Sequence, residues 1–286
     1  MRFTRKHSYI SGLFILLVFS GFYFYQSQAN SDNFLKVAFL DVGQGDAIYI
    51  EAPNGRQVLI DGGPDARVLP ELSEVMPMFD TSIDMLIATH SDADHIGGLP
   101  SVIDNYTITN ILENGHKGET KIYKKLEEKI IENNIKKDIA QRGMHIILDE
   151  KENIYLDILF PDRDVSKLKT NDGSIVARLV YKDQSVMLTG DATYYTENII
   201  LKNENNDDLK STILKLGHHG SNTSSGTSWL SAASPQYTII SAGLDNKYGH
   251  PHIDVLSRLE NFKMSYLSTA KEGTIIFKSD GVSFWQ

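Results

Sequence analysis

The segment Thr89-His90-Ser91-Asp92-Ala93-Asp94-His95-Ile96-Gly97-Gly98 holds two imidazoles and two carboxylates within six positions. It follows the apolar run Met85-Leu86-Ile87-Ala88 and ends in glycines, a pattern that reads as a buried strand opening into a loop. Four potential ligands on one tight loop can face a common point. Unpaired, such groups cost several kcal/mol to bury, so their burial implies a compensating cation. The chain has no cysteine, which leaves His, Asp, Glu, water and backbone oxygen as metal ligands.

Three further polar clusters close apolar runs. Leu188-Thr189-Gly190-Asp191 places a carboxylate beside a glycine, Leu216-Gly217-His218-His219-Gly220-Ser221 pairs two histidines, and Asn246-Lys247-Tyr248-Gly249-His250-Pro251-His252 adds two more. Six of the 9 histidines thus fall in three clusters at expected strand ends, where α/β proteins build their sites.

The elements that must carry these clusters follow from periodicity. Phe34–Asp41 and Asp46–Glu51 read as a hairpin across a Gly43/Gly45 turn, and Gln57–Ile60 as a third strand ending at Asp61. Helices are expected over 97–106 and over 119–134, where Ile122, Leu126, Ile130 and Ile131 recur at helical spacing. Strands at Ile154–Phe160, Ile175–Tyr181 and Ser185–Thr189 precede a helix at Thr193–Lys202 and a polar loop to Asp208. The last third alternates: strand 213–216, helix 224–232, strand 237–241, helix 253–261, strand 273–277. No repeat or Pro-rich linker divides the chain after residue 33, so the reading is one α/β domain.

Ahead of that domain stands a leader. Arg2, Arg5 and Lys6 precede an apolar stretch from Tyr9 to Tyr25, with no acidic residue before Asp32. This is the charge arrangement of an export signal with its basic end in the cytoplasm. Residues 1–30 are expected to be a signal peptide, cleaved before Asn30, or a retained anchor attached to the membrane through residues 9–25. Both place the remainder outside the cell or on the outer face of the cytoplasmic membrane. Residues 1–29 hold three of the 28 Lys+Arg and none of the 37 Asp+Glu, leaving −12 on the rest. Such a chain does not grip nucleic acid by bulk charge. Lys117, Lys121, Lys124, Lys125 and Lys129 would offset this locally, although helical lysines usually form a solvated face.

Asp61-Gly62-Gly63, the His90–His95 loop and Gly190-Asp191, in this order, resemble the metallo-β-lactamase superfamily. "FLDVGQGDA", "HSDADHIGGL", "NDGSIVARLVY", "MLTGDA", "LKLGHHGS" and "YGHPH" resemble, more narrowly, the metallohydrolase domain of ComEC-type competence proteins, over about residues 34–277. The resemblance implies an αββα sandwich, a hydrolase domain over 34–283, with a dinuclear site along one edge of its two sheets. By resemblance His90 and Asp92 face one metal, Asp94 and His95 the other, and Asp191 bridges them. One of His218, His219 and His250 completes the set, and the sequence leaves open which; His218 is taken as ligand, with Asp94, His219 and His250 as catalytic groups. A histidine free of metal would protonate the leaving alkoxide. Backbone amides near Gly220 and Ser221, with Asn171 and Ser174, are the expected phosphate contacts.

Two departures stand out. Asp92 occupies a position where many superfamily members carry histidine, and a further ligand histidine lacks a counterpart, since Asn171-Asp172-Gly173-Ser174 occupies that place. His116 and His145 read as surface residues, Asp41 and Asp46 as turn formers, and Asp61 as ordering its neighbouring loop. Oxygen-rich ligation shifts preference from zinc toward manganese or magnesium. A metal pair about 3.5–4 Å apart can hold a hydroxide and stabilise the entering and leaving oxygens of a phosphoryl displacement.

The expected function is thus an exported metal-dependent phosphodiesterase acting on DNA. The alternatives are an envelope phosphodiesterase for teichoic-acid or lipid headgroups, a lactam, lactone or thioester hydrolase, and a non-catalytic binding module stabilised by metal. No protein partner is deducible.

Overall fold

The structure, a computed structural model, describes Leu13, residues 15–21 and residues 34–286. Met1–Asn33 and Phe34–Gln286 are separate units. In the first, the expected leader lies largely outside the described residues; Leu13 and residues 15–21 are helical and carry exposed apolar side chains. Among the described residues no helix is long and apolar enough to cross a membrane.

The second unit carries strands β1 (Leu35–Phe39), β2 (Ile48–Glu51), β3 (Gln57–Ile60), β4 (Ser82–Ala88), β5 (Thr107–Glu113), β6 (Lys136–Ile139), β7 (His145–Asp149) and β8 (Ile154–Phe160). There follow β9 (Val176–Tyr181), β10 (Gln184–Leu188), β11 (Ile213–Lys215), β12 (Tyr237–Ile240), β13 (Tyr266–Ser268), β14 (Ile275–Ser279) and β15 (Phe284–Trp285). One sheet runs β15-β14-β1-β2-β3-β4-β5-β6 and the other β13-β12-β11-β10-β9-β8-β7. Both are mixed. Pairing is antiparallel from β15 to β3 and parallel from β3 to β6, and the second sheet is parallel from β10 to β13.

Burial explains the layering. Central strands β2 and β3 are buried at every position, as strands covered on both faces must be. Val37, Phe39, Leu156, Ile158, Leu188 and Ile213 belong to the core between the sheets. Outside the first sheet, Leu59, Ile83 and Leu86 pack with Leu72, Val102 and Leu126 of helices Val68–Val75, Leu99–Asn105 and Lys121–Glu132. Outside the second, Met187 and Leu214 pack with Ile200, Trp229 and Val255 of helices Tyr194–Asn203, Thr227–Ala233 and Ile253–Asn261. Helix, sheet, sheet, helix: this is the αββα sandwich.

The expected elements are present, with added strands β5, β6, β7, β13 and β15 and helix Val68–Val75. The polar run after Asn203 includes a short helix, Asn206–Leu209. β15 carries the first sheet to Trp285, beyond residue 283. Chain reversal brings one end of each sheet together. β3, β4, β10, β11 and β12 all end toward the polar clusters, and glycine permits the close approach. A Cβ on Gly45, whose φ is +127°, would stand 2.0 Å from the Asp94 carbonyl oxygen.

Candidate metal centre

The His90–His95 loop leaves the end of β4 and passes into a single helical turn, Ala93–Ile96. Asp61, at the end of β3, anchors it. Its Oδ1 accepts the Thr89 amide at 2.8 Å, and its Oδ2 accepts the Thr89 hydroxyl and His95 Nδ1, each at 2.7 Å. Asp61 therefore orders the loop, as expected, and also fixes the ring of His95.

These bonds decide which ring nitrogens are available. Thr89 spends its only hydroxyl proton on Asp61, so the 3.0 Å contact with His90 Nδ1 must be donated by the imidazole. Nε2 of His90 then carries a lone pair. It is buried without a hydrogen-bond partner, 3.6 Å from Asp92 Oδ2 and 3.9 Å from Asp191 Oδ2. His219 Nδ1 faces the Ser241 carbonyl at 2.9 Å and must donate to it. His219 Nε2 stands 3.3 Å from His95 Nε2, and 3.4 Å from both Asp94 Oδ2 and Asp191 Oδ2. His95 Nε2 is 3.2 Å from Asp191 Oδ1. Three imidazoles thus have Nδ1 engaged and turn Nε2 toward carboxylates, the arrangement that presents histidine to a metal.

Electrostatics agrees. Burial opposes ionisation of Asp191 and Asp94, yet His219 and His95 hold both well below the usual carboxylate range. Burial likewise opposes charge on His219, but Asp191, Asp46 and Asp94 outweigh it and raise the ring to about 9; His95 is raised well above its ordinary value by Asp191 and Asp61. Burial and the neighbouring His95 push His90 down to about 3. The concentrated carboxylates demand positive charge between them, and the donor set of imidazole nitrogen and carboxylate oxygen fits divalent cations.

Asp46 lies behind this centre rather than in a turn. Asp46, His95, Asp191 and His219 each bring one ligand atom within 4.8 Å of the others. Asp46, however, faces the Nδ1 edges of His219 (3.4 Å) and His95 (3.9 Å), away from their Nε2 atoms. It is ion-paired with Lys215, which is fully buried and also donates to the Gly190 carbonyl at 3.0 Å. Asp41 does shape the turn, accepting the Gly43 amide at 3.2 Å.

The two histidines of the β11 loop part company. Both have left-handed backbone, His218 at φ 48° and His219 at φ 55°, which costs about 1–2 kcal/mol per non-glycine residue. The His218 amide bond to the Gly190 carbonyl (3.2 Å) and the Ser224 hydroxyl bond to the Gly217 carbonyl (2.6 Å) hold this shape. His219 turns inward. His218 is part-exposed, 3.7 Å from Asp191 Oδ2, with Nδ1 3.1 Å from the Thr223 hydroxyl and the Asn171 amide against its ring. His250 is half-buried, its ring 5.4 Å from that of His218 and 6.2 Å from that of His219. Burial and these two rings lower it to about 4.

The remaining expected residues vary in position. Asn171 reaches the site through His218. Ser174 is fully buried, so a substrate cannot touch its hydroxyl; its turn is tied to the metal loop by the Ile175 amide bond to the Thr89 carbonyl at 2.9 Å. The Ser221 amide donates to the His218 carbonyl at 2.8 Å and is not a free anion donor. Gly220, at φ +79°, packs against Pro251, which a Cβ would meet at 2.8 Å. His145 is on the surface, bonded to Asp157 at 2.6 Å. His116 is part-buried, with Nδ1 3.3 Å from the Ser91 hydroxyl beside the metal loop. Sequence spacing assigns no role to Lys215, Thr89 or Ser241. Of these only Lys215 carried a signal, as a charge inside an apolar strand.

Residues 40–243 match the sequence profile of the metallo-beta-lactamase superfamily. The chain belongs to this superfamily. It is 31% identical over 265 residues to ComE operon protein 3 of Bacillus subtilis, matching 85% of this chain and 33% of that protein. It is also 31% identical over 245 residues to Recombination protein 2 of Haemophilus influenzae, 84% of this chain and 28% of the relative. The chain thus spans about a third of the length of these relatives. Two solved structures share the fold at 13% identity: YhfI of Bacillus subtilis, a metallo-beta-lactamase fold protein (TM-score 0.55, 84% of this chain and 98% of that one), and Igni18, a metallo hydrolase of Ignicoccus hospitalis (TM-score 0.56, 86% and 100%).

Proposed function

We propose that this metallo-β-lactamase-fold hydrolase is a phosphodiesterase that cleaves DNA with two divalent metal ions, manganese before zinc or magnesium. The observation that carries the proposal is the convergence of His90, His95 and His219 Nε2 atoms on Asp92, Asp94 and Asp191, each ring locked from behind. Likeness to ComE operon protein 3 and Recombination protein 2 supports nucleic acid as substrate.

Asp94, His95, His219 and Asp191 would hold one ion; His90, Asp92 and Asp191 would hold the other, with Asp191 shared. The ions would supply a water activated at neutral pH and neutralise charge on the transferring phosphoryl group. The protein's own groups do the rest. Asp61 and Ser241 keep the imidazoles in one tautomer, and the Asp46–Lys215 pair holds the floor of the site rigid. His218 and His250 line the open side. With His250 lowered to about 4, its ring is neutral at neutral pH and offers one N–H as a hydrogen-bond donor to a phosphate oxygen rather than as a general acid. His219 is proposed as a ligand rather than as the acid, and His218 as a substrate-side group.

The basic–apolar leader supports placing this activity outside the cytoplasmic membrane. The test of function is cleavage of labelled single- and double-stranded DNA by metal-stripped protein reloaded with manganese, magnesium or zinc, beside Asp191→Asn. Metal-dependent cleavage lost in the variant is the expected result. Intact DNA in every reaction would overturn the DNA reading.

A further inference from the structure

We infer that Tyr248 is a stacking platform for an unpaired nucleobase flanking the scissile phosphate. The inference rests on the phosphodiesterase reading and specifies how a polynucleotide would be held. Tyr248 is 55% exposed, and its ring stacks on His250 with centroids 5.8 Å apart and planes 23° apart. His250 in turn stands 6.2 Å and 33° from His219. Three rings in loose register therefore lead from the buried metal centre to solvent, and the outermost is an aromatic face on the surface.

That face is held in place. Asn246 bonds the Gly243 and His250 carbonyls through Nδ2, at 3.0 and 2.5 Å, and accepts the Tyr248 and His250 amides through Oδ1, at 3.2 and 3.0 Å. One side chain thereby fixes the loop that carries both rings. A pre-ordered aromatic loses little entropy on binding. The Lys247 ammonium lies over the Tyr248 ring, 5.1 Å from its centroid, on a flexible four-carbon stem that an incoming base would displace.

The chain's charge favours such a platform. With a net charge of −9 the chain cannot collect a phosphate backbone by bulk electrostatics. Part of the affinity for a polynucleotide beyond the phosphate at the metal centre then comes from contacts that ignore phosphate charge, and base stacking is the sequence-tolerant one. A paired base in a duplex hides its faces, so the platform selects single strands, frayed ends or gaps.

The experiment compares two labelled oligomers of equal length, single-stranded DNA and a tetrahydrofuran–phosphate chain without bases. Binding by fluorescence anisotropy and cleavage with manganese are followed for the full chain, Tyr248→Ala and Tyr248→Phe. Stacking of about 1–3 kcal/mol per base predicts that Tyr248→Ala weakens DNA binding between about fivefold and about 150-fold. It leaves the baseless chain unaffected, and Tyr248→Phe retains wild-type affinity. Equal loss on both oligomers, no loss on either, or a wild type that does not prefer bases would overturn the platform. Wild-type cleavage of either oligomer with no role for Tyr248 would remove this inference and leave the phosphodiesterase standing. Tyr248-dependent binding without cleavage would do the reverse.

Discussion

Asp61→Asn removes one charge and one acceptor from behind the candidate metal centre while leaving every proposed ligand in the chain. Asp61 has φ +60°, a conformation asparagine adopts at least as readily, so the backbone is unperturbed. The three donors that meet the carboxylate leave the amide no good orientation. With its oxygen kept on the Thr89 hydroxyl and His95 Nδ1, its NH2 confronts the Thr89 amide; reversed, it confronts two donors. One buried donor is left unsatisfied in the better case, costing about 1–3 kcal/mol. Loss of the carboxylate also lowers the basicity of His95, and such outer partners typically contribute 10–100-fold in metal affinity, about 1.4–2.8 kcal/mol. The variant should therefore fold with a modestly lowered Tm and bind manganese about 10–100-fold more weakly in a chelator-competition titration. Wild-type manganese affinity in a folded Asp61→Asn protein would refute the view that His95 is a ligand set by Asp61.

Three further outcomes are expected. Lys215→Met leaves Asp46 charged and buried without its lysine, facing only the His219 and His95 rings, costing about 3–5 kcal/mol in denaturant unfolding; Lys215→Met with Asp46→Leu should recover most of it, and an additive double loss would contradict the pairing. His219→Ala should lose more manganese affinity than Asp61→Asn, whereas His218→Ala should keep wild-type affinity; the reverse order in the same titration would exchange their roles. Burial raises the Glu197 carboxyl to about 7, despite bonds from the Ser225 and Gly226 amides at 2.5 and 2.9 Å. The folded state then retains a proton that the unfolded chain has lost, so this group's contribution to stability falls as pH rises from about 4.5 to 7 and is level above. Glu197→Gln should flatten that slope in Tm measured across the same range, and an unchanged slope would place its origin elsewhere.

The sequence made the ligand loops legible because each combines a local apolar strand with a local polar terminus. Met85–Ala88 before His90 and Ile213–Leu216 before His218 needed no knowledge of distant residues. The second sheet's ladder was readable for the same reason, since Ile154–Phe160 and Tyr237–Ser241 announce themselves by β-branched and aromatic content. Edge strands were not. Lys136–Ile139 is mostly exposed and largely charged, a composition suited to a protected sheet edge and invisible to a search for apolar runs. Helix Val68–Val75 was hidden by Pro70 in its first turn, a position where proline is tolerated. Least visible were the contacts that decide tautomers. Asp46 meets Lys215 across 169 residues and His219 meets Ser241 through a backbone carbonyl, and neither leaves a trace in spacing. The proposed choice of His219 over His218 as ligand rests on that carbonyl.

The chemistry proposed for this donor set is hydrolysis of phosphodiesters with divalent ions. Turnover of bis-p-nitrophenyl phosphate, followed as manganese is added back to the stripped chain, tests it most directly. No turnover is expected without metal, and a rise that saturates at two equivalents per chain is expected as it is added. Turnover in the stripped protein, or none at saturating manganese, would contradict it.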